Sequence, residues 1–227
     1  MTVESDPQRS DAFYEKFYKG GGWKYSLRRE RRWHRRYFIA KFKLHRGMRV
    51  LDVGCGCGFY THLLNRMGFD CVGIDRSQVG IDWARNHYPS STYLCCDLSE
   101  MPFDPGSFDV IYARGLSHYN YDLTSRQAIH TTIALIRFLR PDGLFTMISV
   151  TDLSGRRTPG RIWNNSLEDY RRHMALFGES WSVESCGGYA VCGFRNEPVM
   201  GSVVPQANIE PLRHPQPLRR LEPALST

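Results

Sequence analysis

Three glycines fall within five positions of VLDVGCGCGFYT, Val50 to Thr61, directly after an apolar run. Glycine accepts backbone dihedrals that a Cβ forbids and lets another group come close to the main chain. At a strand-to-helix turn such a run is a place to hold a ligand. The dinucleotide fingerprint Gly-x-Gly-x-x-Gly needs its third glycine at the helix start. Here Gly54, Gly56 and Gly58 alternate with Cys55 and Cys57, and Phe59 stands where that third glycine would be. An acid, Asp52, precedes the first glycine by two positions. The spacing disfavours a nicotinamide dehydrogenase and sets a carboxylate beside the turn.

Other candidate chemistry is thinner. Seven cysteines, at positions 55, 57, 71, 95, 96, 186 and 192, form an odd set that argues against a disulfide framework. Cys55-x-Cys57 lacks the second pair or the histidines that zinc would need, so reduced, buried thiols and no metal site are expected. The net charge of +7 is concentrated in Lys24 to Arg46, which holds ten Lys or Arg and a single acid, Glu30. Trp33, Tyr37, Phe38 and Phe42 recur there at helical spacing, giving one apolar and one basic face. A solvated face is the reading adopted; a nucleic-acid or acidic-lipid surface is the alternative. The start, MTVESDPQRS, has no positive region followed by an apolar stretch, and LFTMISV falls far short of the ~20 residues that span a bilayer. A cytoplasmic protein without a membrane span is expected.

The elements that must position these residues follow from periodicity. The 227 residues, 41% hydrophobic and 13% aromatic, suit one globular domain with a sizeable core. Residues 1–46 read as helical, broken at KGGGW, Lys19 to Trp23. From Arg49 strands alternate with helices: RVLDVG, CVGID, TYLCCD, FDVIYA and LFTMISV are strands, and SWSVES with YAVCGFR an antiparallel pair. Ser77 is a candidate N-cap, and Ser166 and Asp169 have capping-box spacing. This order predicts an α/β fold with a doubly wound, mostly parallel seven-stranded sheet, a C-terminal antiparallel pair, and N-terminal helices over the ligand site. The expected organisation is a helical cap over 1–46, the main domain over 47–197 and a proline-rich disordered tail over 198–227.

The pattern Asp-x-Gly-x-Gly-x-Gly resembles the first motif of the S-adenosylmethionine-dependent methyltransferases with a Rossmann-like fold. The likeness continues in order through VGID, CDLSEMPF, DPGSFDVIYARG and LRPDG, covering roughly residues 48 to 195. It implies S-adenosyl-L-methionine as cofactor and a methyltransferase activity. Asp75 would hold the ribose hydroxyls, and Asp97 would reach the adenine amine with Leu98 packing nearby. Asp52 would stabilise the cationic amino end of the methionine part, directly or through water. Cys55, Arg76 and Arg114 complete the implied cofactor set with the three glycines. The cofactor carries no phosphate, so no lysine or arginine cradle is needed at the turn.

In this family ARGLSHYN, Ala113 to Asn120, faces the methyl group. It lacks the Asn/Asp-Pro-Pro-aromatic and Pro-Cys motifs of base-modifying relatives, and no acid stands there for magnesium. A metal-independent transfer to an oxygen or nitrogen of a small molecule is expected. A nucleic-acid acceptor and a catalytically silent binding subunit are the alternatives. His118 is the one residue of the segment able to take a proton near neutral pH, and is the candidate general base beside its plainer reading as pocket wall. Tyr119, Tyr121 and Trp163 are candidates to stack on the acceptor. Tyr18, Trp23 and Tyr25 are candidates for a lid hinged at the glycines between residues 20 and 22.

Overall fold

The computed structural model describes residues 11–151 and 165–197. The expected tail, residues 198–227, and Trp163 lie outside the described residues. A short helix α1 (Asp11–Lys19) precedes α2 (Leu27–His34), which runs through a π-helical turn at Arg35–Ile39 into α3 (Ala40–Phe42). The sequence suggested one plain helix here. His34, Phe38 and Phe42 are all buried, and a repeat of four residues fits a locally widened turn better than 3.6. The arginines of this segment point outward, as its two-faced pattern required.

Strands β1 (Arg49–Val53), β2 (Asp70–Asp75), β3 (Thr92–Cys95), β4 (Phe108–Arg114), β5 (Leu139–Val150), β6 (Trp181–Cys186) and β7 (Tyr189–Arg195) form one sheet in the order β3-β2-β1-β4-β5-β7-β6. The first five pair in parallel, and β7 lies antiparallel between β5 and β6. The expected seven-stranded, mostly parallel sheet is therefore present. The chain crosses from β1 to β2 on one side and back to β4 on the other, so a crevice opens at the carboxyl ends of β1 and β4.

Alternate residues of the strands feed two cores. Val50, Val110, Tyr112, Leu144 and Val191 face Phe38, Phe42 and α4 (Phe59–Arg66). Leu51, Ile111, Phe145 and Cys192 face α6 (Arg126–Ile136) and α7 (Leu167–Ala175). A smaller cluster seats α5 (Gln78–His87) on Tyr93 through Ile81 and Ala84. Ser77 caps α5 by accepting from Gly80, and Ser166 with Asp169 forms the full capping box of α7. Gly187 and Gly188, both at positive φ, turn β6 into β7.

Candidate functional site

The glycine turn lies at the crevice, but its glycines answer to the protein itself. Gly54, Gly56 and Gly58 all have positive φ, which costs little only without a Cβ. A Cβ on Gly54 would lie 2.8 Å from Leu116, one on Gly58 would lie 2.6 Å from Ala84 and Tyr93, and one on Gly56 would meet the Tyr18 hydroxyl at 3.0 Å. The turn's N–H groups are also occupied. Gly54 and Cys55 both donate to the Ile74 carbonyl, Gly58 to that of Cys55, and Gly56 to the Asp75 carboxylate at 2.8 Å. Those four N–H groups are therefore not presented to a phosphate.

Asp75, at the end of β2, joins two turns. One carboxylate oxygen accepts from Gly56 and the other from Ser77 at 2.9 Å. Burial pushes its pKa up, against the lowering effect of those N–H groups and of Arg76. Asp52 sits behind the turn. It is 2% exposed, accepts the Thr61 hydroxyl at 2.6 Å, and lines neither of the two cavities over the turn. The direct contact with a cationic ligand group considered from sequence is closed to it here.

Burial pushes the Asp52 carboxyl up from 3.8 to about 7, with Thr61 opposing. Between those values the folded protein holds a proton that the unfolded chain has lost. Stability from this group is thus complete below pH 3.8 and lost as pH rises through 7. Denaturant unfolding at pH 5 and pH 8 is expected to show the wild type losing about 2–3 kcal/mol relative to Asp52→Asn over that interval. Parallel pH dependences in the two proteins would refute this assignment.

Two cavities meet over the turn. One, about 670 Å³, is lined by Asp75, Arg76, Asp97, Leu98 and His118. Asp97 spends one oxygen on the backbone and hydroxyl of Ser99, at 3.0 and 2.8 Å. The second, about 480 Å³, is walled by aromatic rings, among them Phe17, Trp23, Tyr25, Phe59, Tyr60 and Tyr189, with Cys55, Asn120 and Tyr121. Tyr14, Tyr18, Gly54, Gly115 and Ser117 line both. Tyr18 lies over Gly56 and Gly80 at this junction, and burial first, then the Asp75 charge, keeps its phenol protonated. Tyr25 packs on Phe59 and Tyr60 with ring centroids 5.0 and 4.9 Å away.

Three sequence expectations change. Tyr119 lies in the core, with its hydroxyl 2.8 Å from that of Thr132, and Tyr121 reaches the aromatic cavity instead. A three-residue 3₁₀ turn, Ser117–Tyr119, sends these rings to opposite destinations. His118 lines the cavity of Asp75 and Asp97, away from the aromatic rings of the other, and Thr131 lies 2.8 Å from its Nδ1. Burial, with Arg76 second, lowers its pKa and so favours the neutral imidazole. Arg114 belongs to the aromatic cavity, apart from Asp75, Arg76 and Asp97.

The surroundings of Arg114 were not read from sequence. Its guanidinium lies 4.3 Å from the Tyr60 ring and 4.4 Å from that of Tyr189. Glu30 Oε2 is 3.7 Å from Nη2 and accepts the Tyr60 hydroxyl at 3.1 Å. His34 completes the support. Its Nδ1 faces the Glu30 carbonyl at 2.8 Å, an acceptor, so that nitrogen carries the proton and Nε2 accepts from Tyr112 at 2.8 Å. Burial lowers the His34 pKa to about 3, in keeping with a neutral ring. The one usable signal was Glu30, the lone acid in a basic run.

A family profile described as methyltransferase domain matches residues 50–143. The chain is similar to the uncharacterized methyltransferase sll0829 of Synechocystis, 30% identical over 104 residues, or 46% of this chain and 48% of that protein. It is also similar to the sterol 24-C-methyltransferase of Candida albicans, 33% identical over 113 residues, or 46% of this chain and 28% of that one. The chain thus spans half or less of the length of these relatives. Among solved structures, DhpI in complex with S-adenosylhomocysteine superposes with a TM-score of 0.64 at 18% identity, covering 87% of this chain and 100% of that one, a likeness of fold. The domain carried by residues 50–143 belongs to the class I, Rossmann-like family of S-adenosylmethionine-dependent methyltransferases.

Proposed function

We propose that the chain transfers a methyl group from S-adenosylmethionine to an oxygen or nitrogen of a small molecule. The observation that carries this reading is the pair of cavities meeting over the glycine turn, one rimmed by acids and the other by aromatic rings. Asp75 would accept from the ribose hydroxyls with Arg76 alongside, and Asp97 and Leu98 would meet the adenine. When bound, the cofactor supplies an electrophilic methyl on a sulfonium. The protein then aligns the acceptor and excludes water, tasks that fall to Tyr18, Trp23 and Tyr25 as a cap. Residues 1–46 would form that cap and 47–197 the catalytic unit. Asn120 and Tyr121 would touch the acceptor, while His118 would serve as wall.

A carbon acceptor of the kind named for the Candida relative is the second reading, favoured by the apolar breadth of the aromatic cavity. The test is to supply methyl-labelled S-adenosylmethionine with panels of small acids, phenols, amines, apolar polycycles and structured RNA. Label is expected in a small molecule carrying a methylated oxygen or nitrogen, with stoichiometric S-adenosylhomocysteine. Label confined to RNA would move the function to the arginine face of α2. Label on carbon would favour the second reading, and no transfer to any acceptor would favour a binding subunit.

A further inference from the structure

Arg114 ends β4 with a side chain only 7% exposed, yet it lines the aromatic cavity. Its Nη1 has no hydrogen-bond partner among the described residues. Nη2 faces Glu30 at 3.7 Å, too long for a good charge-assisted hydrogen bond, and that carboxylate oxygen also accepts from Tyr60. The rings of Tyr60 and Tyr189 hold the guanidinium in place, and Gly115 and Ser117 on the same segment line both cavities. A buried cationic donor left unsatisfied is costly, and an anion that satisfies it is favoured where the dielectric is low.

We propose that Arg114 selects a planar acceptor bearing an anionic oxygen, an aromatic carboxylate, and holds that oxygen ionised in the aromatic cavity. This rests on the methyl-transfer reading above. The rings around the guanidinium suit a flat aromatic body, while the guanidinium repels ammonium groups and lowers the pKa of an oxygen acid beside it. The acceptor then needs no general base, which agrees with the position of His118 in the other cavity. An oxygen lone pair forms the new O–CH₃ bond as the S–CH₃ bond breaks, and that bonding pair stays on sulfur. The products are a methyl ester and a neutral thioether, with no proton moved.

The test uses wild type, Arg114→Met and Arg114→Lys, each titrated calorimetrically with S-adenosylhomocysteine. The resulting complexes are then titrated with 4-hydroxybenzoate and its neutral isostere 4-hydroxybenzamide. The wild-type complex is expected to bind the acid at least tenfold more tightly than the amide. Arg114→Met is expected to lose that preference while S-adenosylhomocysteine binding stays within about twofold, and Arg114→Lys to keep part of it. Absence of an acid preference in the wild-type complex, including no binding of the acid, overturns the proposal. So does an Arg114→Met protein that loses S-adenosylhomocysteine binding, because the guanidinium would then serve the cofactor's own carboxylate. Failure of the wild type to bind S-adenosylhomocysteine would instead remove the methyl-transfer reading.

Discussion

Gly58→Val is expected to destabilise the fold by roughly 2–5 kcal/mol. Gly58 has φ +76°, and a Cβ there would lie 2.6 Å from both the Ala84 Cβ and the Tyr93 ring. Neither neighbour can retreat: Ala84 is fully buried, and Tyr93, 3% exposed, donates to the Gly58 carbonyl at 3.2 Å. A left-handed conformation costs a residue with a Cβ roughly 1–2 kcal/mol, and overpacking a buried site typically adds about 1–3 kcal/mol, more with a branched Cβ. That loss consumes much of a total stability of about 5–15 kcal/mol. Gly115→Ala is the control, since Gly115 shares the positive φ, at +67°, but a Cβ there would meet no atom of the described residues within 4 Å. It should lose only about 1–2 kcal/mol. Gly56→Ala should fall between Gly58→Ala and Gly115→Ala, because the obstructing Tyr18 ring is carried on α1 and can shift. Urea unfolding of the three alanine variants checks the order Gly58, Gly56, Gly115. Equal losses at Gly58 and Gly115 would mean that packing beneath the turn does not explain its glycines.

Asp75→Ala is expected to weaken S-adenosylhomocysteine binding by about tenfold to more than a hundredfold. A hydrogen bond to a charged group is worth about 1.5–3 kcal/mol, and each 1.4 kcal/mol is tenfold in affinity. Here one carboxylate does two jobs. It would accept the ribose hydroxyls, and it latches the glycine turn to the start of α5 through Gly56 and Ser77. Removing it loosens the surface on which the ligand lies as well as deleting an acceptor. Asp75→Asn should be damaging too, since one of its atoms becomes an amide donor facing an N–H group. Calorimetry on variants with native circular dichroism checks this. Unchanged affinity in a folded Asp75→Ala protein would remove the ribose assignment.

The parts of this site that are legible in the sequence are those that chain-local spacing determines. Asp52, the alternating glycines and Asp75 sit at strand ends whose periodicity is plain, so their gathering at one edge follows from the doubly wound order. The reason for the glycines was not legible. The excluding atoms belong to Leu116, Tyr18, Ala84 and Tyr93, far apart in sequence. The same limit hid the Arg114 environment, where Glu30 and His34 from α2, Tyr60 from α4 and Tyr189 from β7 converge on the end of β4. Tyr119 and Tyr121 are alike in composition and separated by one residue, yet one packs in the core and one lines a cavity. Local turn geometry decides that, and no hydrophobic period reports it.

The most direct test of the central claim is calorimetric titration of the wild-type protein with S-adenosylhomocysteine, alongside NADH as the competing ligand for a glycine-rich turn. Saturable binding of S-adenosylhomocysteine at one site per chain, with none of NADH, is the predicted result. No binding of S-adenosylhomocysteine, or tighter binding of NADH, would contradict the account.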